Sequence, residues 1–184
     1  MNIIAFAASN SQYSINASLV RYACSLMNDA HIEMLDINDY DMPVYGIDIE
    51  LSSGIPQAAH DFIQKLASAD ALIVSFAEHN GLYTAAYKSL FDWASRVDRY
   101  VYQHKPMVML ATSPGSRGGI GVLQIAESGA PHFGGKVLAS VSIPKFGENF
   151  DLESNTLINP EYVKQIEAAL ALLPEAVAKE AADD

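Results

Sequence analysis

The chain has 184 residues, half of them apolar and 18% charged, and its formal net charge is −11. This length and composition predict one globular domain with a substantial core. The acidic balance, with no run of basic residues, argues against nucleic acid or an anionic membrane surface as a partner. No apolar stretch has the length of a membrane span, and the first residues resemble a strand more than a signal peptide. The single cysteine, Cys24, excludes an internal disulfide and favours a reducing, cytoplasmic location.

Five apolar stretches alternate with helical patterns along the chain. The predicted strands are residues 2–8, 31–37, 71–76, 107–112 and 137–143. The predicted helices are residues 14–28, 57–67, 82–99, 121–128 and 161–173. The connection at 36–56 is turn-rich and long, which suggests a functional or interface role. Pro174 is expected to end the last helix, and the tail from about residue 175 is expected to fray.

This alternation predicts an α/β fold, a single domain over residues 1–184 with a doubly wound, five-stranded parallel sheet of flavodoxin-like strand order 2-1-3-4-5. Near-continuous apolar strands are typical of parallel sheets that are buried on both faces. In this order the loops after the first, third and fourth strands meet at the carboxyl edge of the sheet, where ligands bind in open α/β folds.

The first of these loops places Ser9, Ser11, Ser14 and Asn16 at the start of a helix. Hydroxyl groups, a side-chain amide and free helical N–H groups together favour a phosphate. The alternative is that Ser14 or Asn16 only caps the helix. The loop contains neither a Walker motif nor G-x-G-x-x-G, so neither an ATPase nor a simple dinucleotide site is supported.

The second loop, residues 77–81, presents main-chain donors and acceptors beside Glu78, His79 and Asn80. The pyrimidine edge of a flavin needs both kinds of group, and amides near it would stabilise the charge that develops on reduction. The alternative is an ordinary Asn-Gly turn. Glu78 and His79 could also form an acid–base pair, although no third partner is evident.

The third loop contains Ser113, Gly115, Gly118 and Gly119, whose small size permits close approach to a flat ring or a pyrophosphate. Arg117 is a candidate partner for a nucleotide phosphate. The alternative is a flexible surface loop. The histidines of the chain show no metal-ligand spacing, and the aspartates of the 36–48 segment lack the spacing of a calcium loop. No metal is therefore predicted.

Taken together, the three loops resemble the motifs of the NADPH-dependent FMN reductase family, flavodoxin-fold proteins that include quinone, chromate and azo-dye reductases. The resemblance covers about residues 1–143. The positions that match are Ser9, Ser14, Asn16, Glu78, Asn80, Gly81, Lys88, Asp92, Trp93, Ser113, Gly115, Gly118 and Gly119. The chain departs from the family at Ser11, where an Arg is usual, at Ala77 in place of Pro, and at His79 in place of Tyr.

The resemblance implies a non-covalently bound FMN, with NADPH or NADH as electron donor and a quinone or similar small molecule as acceptor. It assigns FMN binding to Ser9, Ser11, Ser14, Ile15, Asn16, Ala77, Glu78, His79, Asn80, Ser113, Gly115 and Gly118. The first five would surround the phosphate, Glu78 to Asn80 would contact the isoalloxazine and ribityl, and Ser113 with Gly115 would flank the ring. Since the cofactor carries the chemistry, no catalytic side chain is predicted. A homodimer or homotetramer is also implied.

Two other functions remain open from the sequence. One is a flavodoxin-like electron carrier, which binds FMN but does not oxidise NAD(P)H. The other is a cofactor-free interaction protein on the same scaffold, which the departures at Ser11 and His79 would permit.

Overall fold

A computed structural model describes residues 1–183 of the chain. The strands are β1 (Asn2–Ala8), β2 (His31–Leu35), β3 (Ala71–Phe76), β4 (Glu78–His79), β5 (Leu82–Tyr83), β6 (Pro106–Thr112), β7 (Lys136–Ile143), β8 (Phe150–Asp151) and β9 (Thr156–Leu157). The five long strands form a parallel sheet of order β2-β1-β3-β6-β7. This arrangement confirms the predicted flavodoxin-like order 2-1-3-4-5.

Eight helices connect and cover the strands within the described residues. They are α1 (Ile15–Ser25), α2 (Ile47–Ser53), α3 (Gln57–Ala67), α4 (Ala85–Val97), α5 (Ile120–Gly129), α6 (Phe146–Asn149), α7 (Pro160–Leu170) and α8 (Leu172–Asp183). Short 3₁₀ turns lie at Ile37–Asp39 and Ala130–Phe133. Within residues 1–183, no helix combines the length and apolarity needed to cross a membrane.

The central strands are apolar throughout because helices cover both faces of the sheet. On β1, Ile3 and Ala5 pack in the cluster that contains residues of α1 and α7, whereas Ile4 and Phe6 pack in the cluster that contains residues of α3, α4 and α5. Successive strand residues point to opposite faces, so both sets are buried. The sequence pattern was therefore a reliable guide to the sheet.

The start of one helix and the presence of another differ from the sequence prediction for identifiable reasons. Helix α4 begins at Ala85 and not at Leu82, because Leu82 and Tyr83 pair with the second loop as β5, and Thr84 caps the helix by accepting the Tyr87 N–H at 3.2 Å. Helix α2 lies in the connection predicted to be only turns, between Gly46 and Gly54. It buries no side chain, so it gave no apolar periodicity to detect.

The C-terminal segment also differs from the prediction. Residues 172–183 form α8, and Pro174 is its third residue. The first turn of a helix has no acceptor for its own N–H groups, so a proline there starts a helix and does not break it. Lys136 on β7 contacts Glu180 at 2.8 Å, which helps to hold this helix on the sheet.

The ends of three strands lie level at the carboxyl edge. Ala8 at the end of β1 pairs with Phe76 at the end of β3, and Phe76 pairs with Ala111 near the end of β6. This register brings the three following loops, which we call the first, second and third turns, to one place. The first turn is residues 9–16, the second 77–83 and the third 112–119.

Candidate functional site

The three turns enclose one hollow of about 200 Å³ at the carboxyl edge. Its lining residues are Ser9, Ser11, Tyr13, Ser14, Ile15, Asn16, Ala77, Glu78, His79, Thr112, Ser113 and Pro114. Nine of the twelve residues predicted from the sequence are in this set. Asn80, Gly115 and Gly118 are not part of the lining.

The first turn delivers the start of α1 to the hollow. The Ser14 hydroxyl accepts the Ala17 N–H at 3.2 Å, so Ser14 is the N-cap. Within the described residues, the N–H groups of Ile15 and Asn16 have no protein acceptor. Free N–H groups at the positive end of a helix dipole are suited to an anion.

The side chain of Asn16 serves the scaffold and is 3% exposed. Its Oδ1 accepts the Ser75 hydroxyl at 2.8 Å and the Thr112 N–H at 3.0 Å, and its Nδ2 donates to the Thr112 carbonyl at 3.2 Å. Asn16 thus joins the start of α1 to β3 and β6. The side chain thus makes three hydrogen bonds within the protein, and the backbone N–H of Asn16 is one of the free N–H groups at the start of α1.

The family usually has an Arg where this chain has Ser11, and no other residue of the first turn replaces its positive charge. Ser11 is exposed, and its N–H donates to the Ser9 hydroxyl at 3.3 Å. A neighbouring hollow of about 240 Å³ shares Ser9 and Ser11 and is also lined by Arg21 on α1. Arg21 therefore places a positive charge beside the first turn, from a position that the motif comparison did not include, and the carboxylate of Asp36 lies in the same lining.

The second turn is a small antiparallel hairpin. Glu78 pairs with Tyr83 and His79 pairs with Leu82, and Asn80 and Gly81 form its tip with φ angles of 53° and 81°. Two positive φ angles are typical of a two-residue hairpin turn, in which Asn-Gly is favoured. This geometry explains why Asn80 lies outside the lining, and it agrees with the ordinary-turn alternative for Asn80 and Gly81.

Glu78 contacts α5, the helix that follows the third turn, and its side chain is not paired with His79. Its Oε2 accepts the Val122 N–H at 2.9 Å, at the start of α5. His79 is exposed, and its imidazole forms no hydrogen bond with any group of residues 1–183, although its backbone pairs with Leu82. The structure therefore gives no support to the acid–base pair that was considered from the sequence.

The glycines of the third turn serve packing. A Cβ on Gly118 would lie 2.6 Å from the Ser142 hydroxyl and 2.7 Å from the Pro144 nitrogen, and its φ is +60°. The Gly115 carbonyl accepts the Lys145 N–H at 2.9 Å. Both residues thus hold the turn against the end of β7, which accounts for their absence from the lining.

Aromatic side chains of β3 and α4 pack against the second turn through Tyr83. The Tyr83 ring lies 5.8 Å from that of Phe76 and 5.4 Å from that of Tyr87, measured between centroids. Tyr87 and Tyr102 are buried and share a 2.8 Å hydrogen bond between their hydroxyls. Burial raises the pKa of Tyr83 to about 12, so this hydroxyl stays protonated and is not suited to proton transfer near neutral pH.

Three lining residues were missed by the sequence analysis: Tyr13, Thr112 and Pro114. Tyr13 is 92% exposed, an unusual position for a large aromatic side chain. Its location in a polar loop directly before the N-cap was an available signal. Thr112 could not be recognised in this way, because its side chain bonds to the Ile143 carbonyl and only its position in the sheet brings it to the hollow.

The sheet order and a hollow bounded by the turns at its switch point define a flavodoxin-like protein. The sequence profile described as NADPH-dependent FMN reductase matches residues 1–148. The chain belongs to this family. Residues 1–148 include all three turns.

Individual relatives agree with that assignment. A probable NADPH:quinone oxidoreductase 2 from Oryza sativa is 25% identical over 180 residues, which cover 94% of this chain and 87% of the relative. A 2-hydroxy-1,4-benzoquinone reductase from Burkholderia sp. is 33% identical over 107 residues, 57% of this chain and 56% of that protein.

Solved structures show the same fold. The flavoenzyme NAD(P)H:(acceptor) oxidoreductase FerB from Paracoccus denitrificans aligns over 97% of both chains with a TM-score of 0.76 and 19% identity. An FMN-dependent NADH-azoreductase from Bacillus anthracis, solved with FMN, aligns over 94% of this chain and 100% of that chain with a TM-score of 0.66 and 12% identity.

Proposed function

We propose that the chain is a single domain that binds FMN non-covalently in the carboxyl-edge hollow and acts as an NAD(P)H-dependent oxidoreductase. Bound FMN would supply the chemistry, by accepting electrons from the nicotinamide nucleotide and passing them to a quinone, free flavin or similar acceptor. The observation that carries the proposal is the meeting of three sequence-distant turns around one hollow that includes the start of α1.

The first turn fits a phosphate. The free N–H groups of Ile15 and Asn16 are donors, the hydroxyls of Ser9 and Ser11 lie in the lining, and Arg21 adds a nearby charge. Two N–H groups at a helix start can hold a phosphate without a cation inside the site. The loss of the family Arg is therefore expected to lower the affinity without abolishing it.

The remaining lining residues suit the ring end of FMN. Ala77 and His79 from the second turn, and Ser113 and Pro114 from the third, contribute small or flat groups to the hollow. Tyr13 adds an exposed aromatic ring at its edge. These residues would orient the ring and exclude water, and none is required to transfer a proton. FMN contacts of three further residues remain predictions from the sequence: Asn80, Gly115 and Gly118.

The names of the relatives support the choice of donor and acceptor. The rice protein is named for NADPH and quinone, the Burkholderia protein for a benzoquinone, and the Bacillus protein for NADH and an azo compound. A nicotinamide nucleotide appears in two of these three names, and a quinone appears in two. Either NADPH or NADH is compatible with this proposal.

The proposal is tested by reconstituting the purified chain with FMN and adding NADPH, then NADH, without oxygen. We expect a flavin absorbance spectrum that bleaches with one nucleotide or both and returns when a benzoquinone is added. Flavin that stays yellow with both nucleotides would favour the electron carrier. A chain that does not bind FMN in a fluorescence titration would favour the cofactor-free protein.

We also propose a cytoplasmic homodimer or homotetramer. Val44, Ile47 and Leu51 lie in or next to α2 and are 79%, 52% and 79% exposed, which is typical of a surface that another protein covers. Sedimentation of the native chain beside Leu51→Glu tests this proposal. A native chain that sediments as a monomer would contradict it.

A further inference from the structure

We propose that Glu78 is a positioning residue, whose carboxylate caps α5 and so fixes the second turn against the third. The inference rests on the proposed function, since its purpose would be to hold the two turns that line the ring end of the FMN site. Glu78 would act through the position of His79 and would transfer no proton.

Helix α5 begins without a cap of its own. Its N-cap residue is Gly119, which has a φ of 75° and no side chain to accept a hydrogen bond. The Ile120 N–H donates to the Arg117 carbonyl at 3.0 Å, and the Glu78 carboxylate accepts the Val122 N–H at 2.9 Å. A carboxylate at this place satisfies an otherwise unpaired N–H and is stabilised by the helix dipole.

The backbone of α5 is adapted to the carboxylate. A Cβ on Gly121 would lie 2.8 Å from Oε2 of Glu78 and 3.6 Å from its Cδ. Gly121 has no positive φ to explain a glycine within the first turn of a helix. The need for space beside Glu78 does explain it, because any side chain would push the carboxylate away from the Val122 N–H.

The second turn has few other restraints on this side. Its hairpin consists of two residue pairs, and a hairpin of that size is not stable in water by itself. His79, Asn80, Gly81 and Leu82 are exposed. The Glu78 carboxylate links this hairpin to a residue 44 positions away. Without the link, Ala77 would still be held at the end of β3, but His79 would lose a fixed distance to Ser113 and Pro114.

The test compares Glu78→Ala, Glu78→Gln and Gly121→Ala in the full chain. Glu78→Ala removes the acceptor, Gly121→Ala displaces the carboxylate while Glu78 remains, and Glu78→Gln keeps an oxygen acceptor of the same reach. We expect Glu78→Ala and Gly121→Ala to weaken FMN binding by about fivefold to tenfold, the scale of one lost helix cap. Glu78→Gln should recover most of that loss. The double variant Glu78→Ala/Gly121→Ala should be no weaker than either single variant.

The matched control is Gly129→Ala, at the other end of α5. A Cβ there meets no atom within 4 Å among the described residues, so FMN affinity should not change. Alanine favours a helix over glycine by about 1 kcal/mol, which should offset the cost of the lost cap in Gly121→Ala and leaves no loss of overall stability in Gly129→Ala. Weaker binding in Gly129→Ala as well as Gly121→Ala would overturn the role of the Glu78 contact.

A second measurement does not need FMN. Hydrogen exchange of the Val122 amide in the apoprotein should accelerate about tenfold in Glu78→Ala and Gly121→Ala but not in Gly129→Ala, because only the first two expose that N–H. Unchanged exchange would overturn the cap, and faster exchange with unchanged FMN affinity would overturn the positioning role. If the native chain does not bind FMN, the proposed function fails together with the role in FMN binding, while the exchange data still decide whether the cap exists.

Discussion

The first and second turns of the carboxyl-edge hollow are attached to the rest of the fold in different ways. The first turn is held by Asn16, whose buried side chain makes three hydrogen bonds to Ser75 and Thr112. The second turn is held to α5 by one hydrogen bond from the Val122 N–H to the half-buried Glu78. One attachment is inside the protein, and the other lies near its surface.

This difference shows how the residues of a binding motif divide their work. Ser14 and Asn16 use their side chains to build the scaffold, which leaves the backbone N–H groups of the helix start for a ligand. Glu78 uses its side chain to join two turns. Since a buried network costs more to break than a partly exposed contact, the first turn should be the rigid wall and the second the adjustable one.

Breaking the first attachment should have the largest effect. Asn16→Leu leaves the Ser75 hydroxyl and both backbone groups of Thr112 without partners in a buried place. Each buried unsatisfied group costs about 1–3 kcal/mol, so we expect a loss of about 3–5 kcal/mol in the free energy of unfolding. Urea denaturation of the apoprotein measures it.

Asn10→Leu is the control, because Asn10 is an exposed asparagine in the same turn. It should change the free energy of unfolding by less than about 0.5 kcal/mol. A loss below about 1 kcal/mol in Asn16→Leu would show that the network contributes little, and that the two attachments are equivalent.

A charge at the N-cap separates stability from binding in the first turn. Aspartate caps a helix as well as serine does, so Ser14→Asp should keep α1 and slightly stabilise the apoprotein. The same carboxylate would repel a phosphate at the N–H groups of Ile15 and Asn16. We expect FMN affinity, measured by fluorescence quenching, to fall by about tenfold at low salt and by less at high salt.

Ser14→Ala completes this experiment. It removes the cap to the Ala17 N–H without adding charge, and should cost about 1 kcal/mol of stability. The two variants should therefore move the unfolding temperature in opposite directions, with the aspartate variant binding FMN more weakly. Native affinity in Ser14→Asp would place the phosphate elsewhere and contradict the assignment of the first turn.

Much of the fold could be predicted from the sequence because the apolar runs of the strands are set by burial on both faces. The loops at the carboxyl edge followed from the strand order and not from their own residues. The boundaries that were wrong, at Leu82 and Pro174, depend on pairing and on helix position, which local patterns do not encode. Helix α2 has no buried face, so its pattern carried no signal.

The sequence predicted which residues line the hollow better than it predicted what each side chain contacts there. Asn16 is 59 and 96 residues from its partners, so its inward direction could not be deduced from the loop. Gly118 was predicted to approach a ligand, but the close neighbour is Ser142 at the end of β7. In each case the chemistry of the residue was clear, and its partner was fixed only by the three-dimensional packing.

The smallest of these effects is expected at the tip of the second turn. Gly81 has a φ of 81°, so Gly81→Ala should destabilise the hairpin by about 1 kcal/mol, and Gly81→Asn by less, because asparagine tolerates this conformation. Gly147→Ala is the control, since Gly147 has no positive φ and a Cβ there meets no described atom within 4 Å. If the second turn is the adjustable wall, FMN affinity should fall in the order Gly81, Gly81→Asn, Gly81→Ala when it is measured at one salt concentration. Equal affinity in all three would mean that the Glu78 contact holds His79 in place however the hairpin tip is strained.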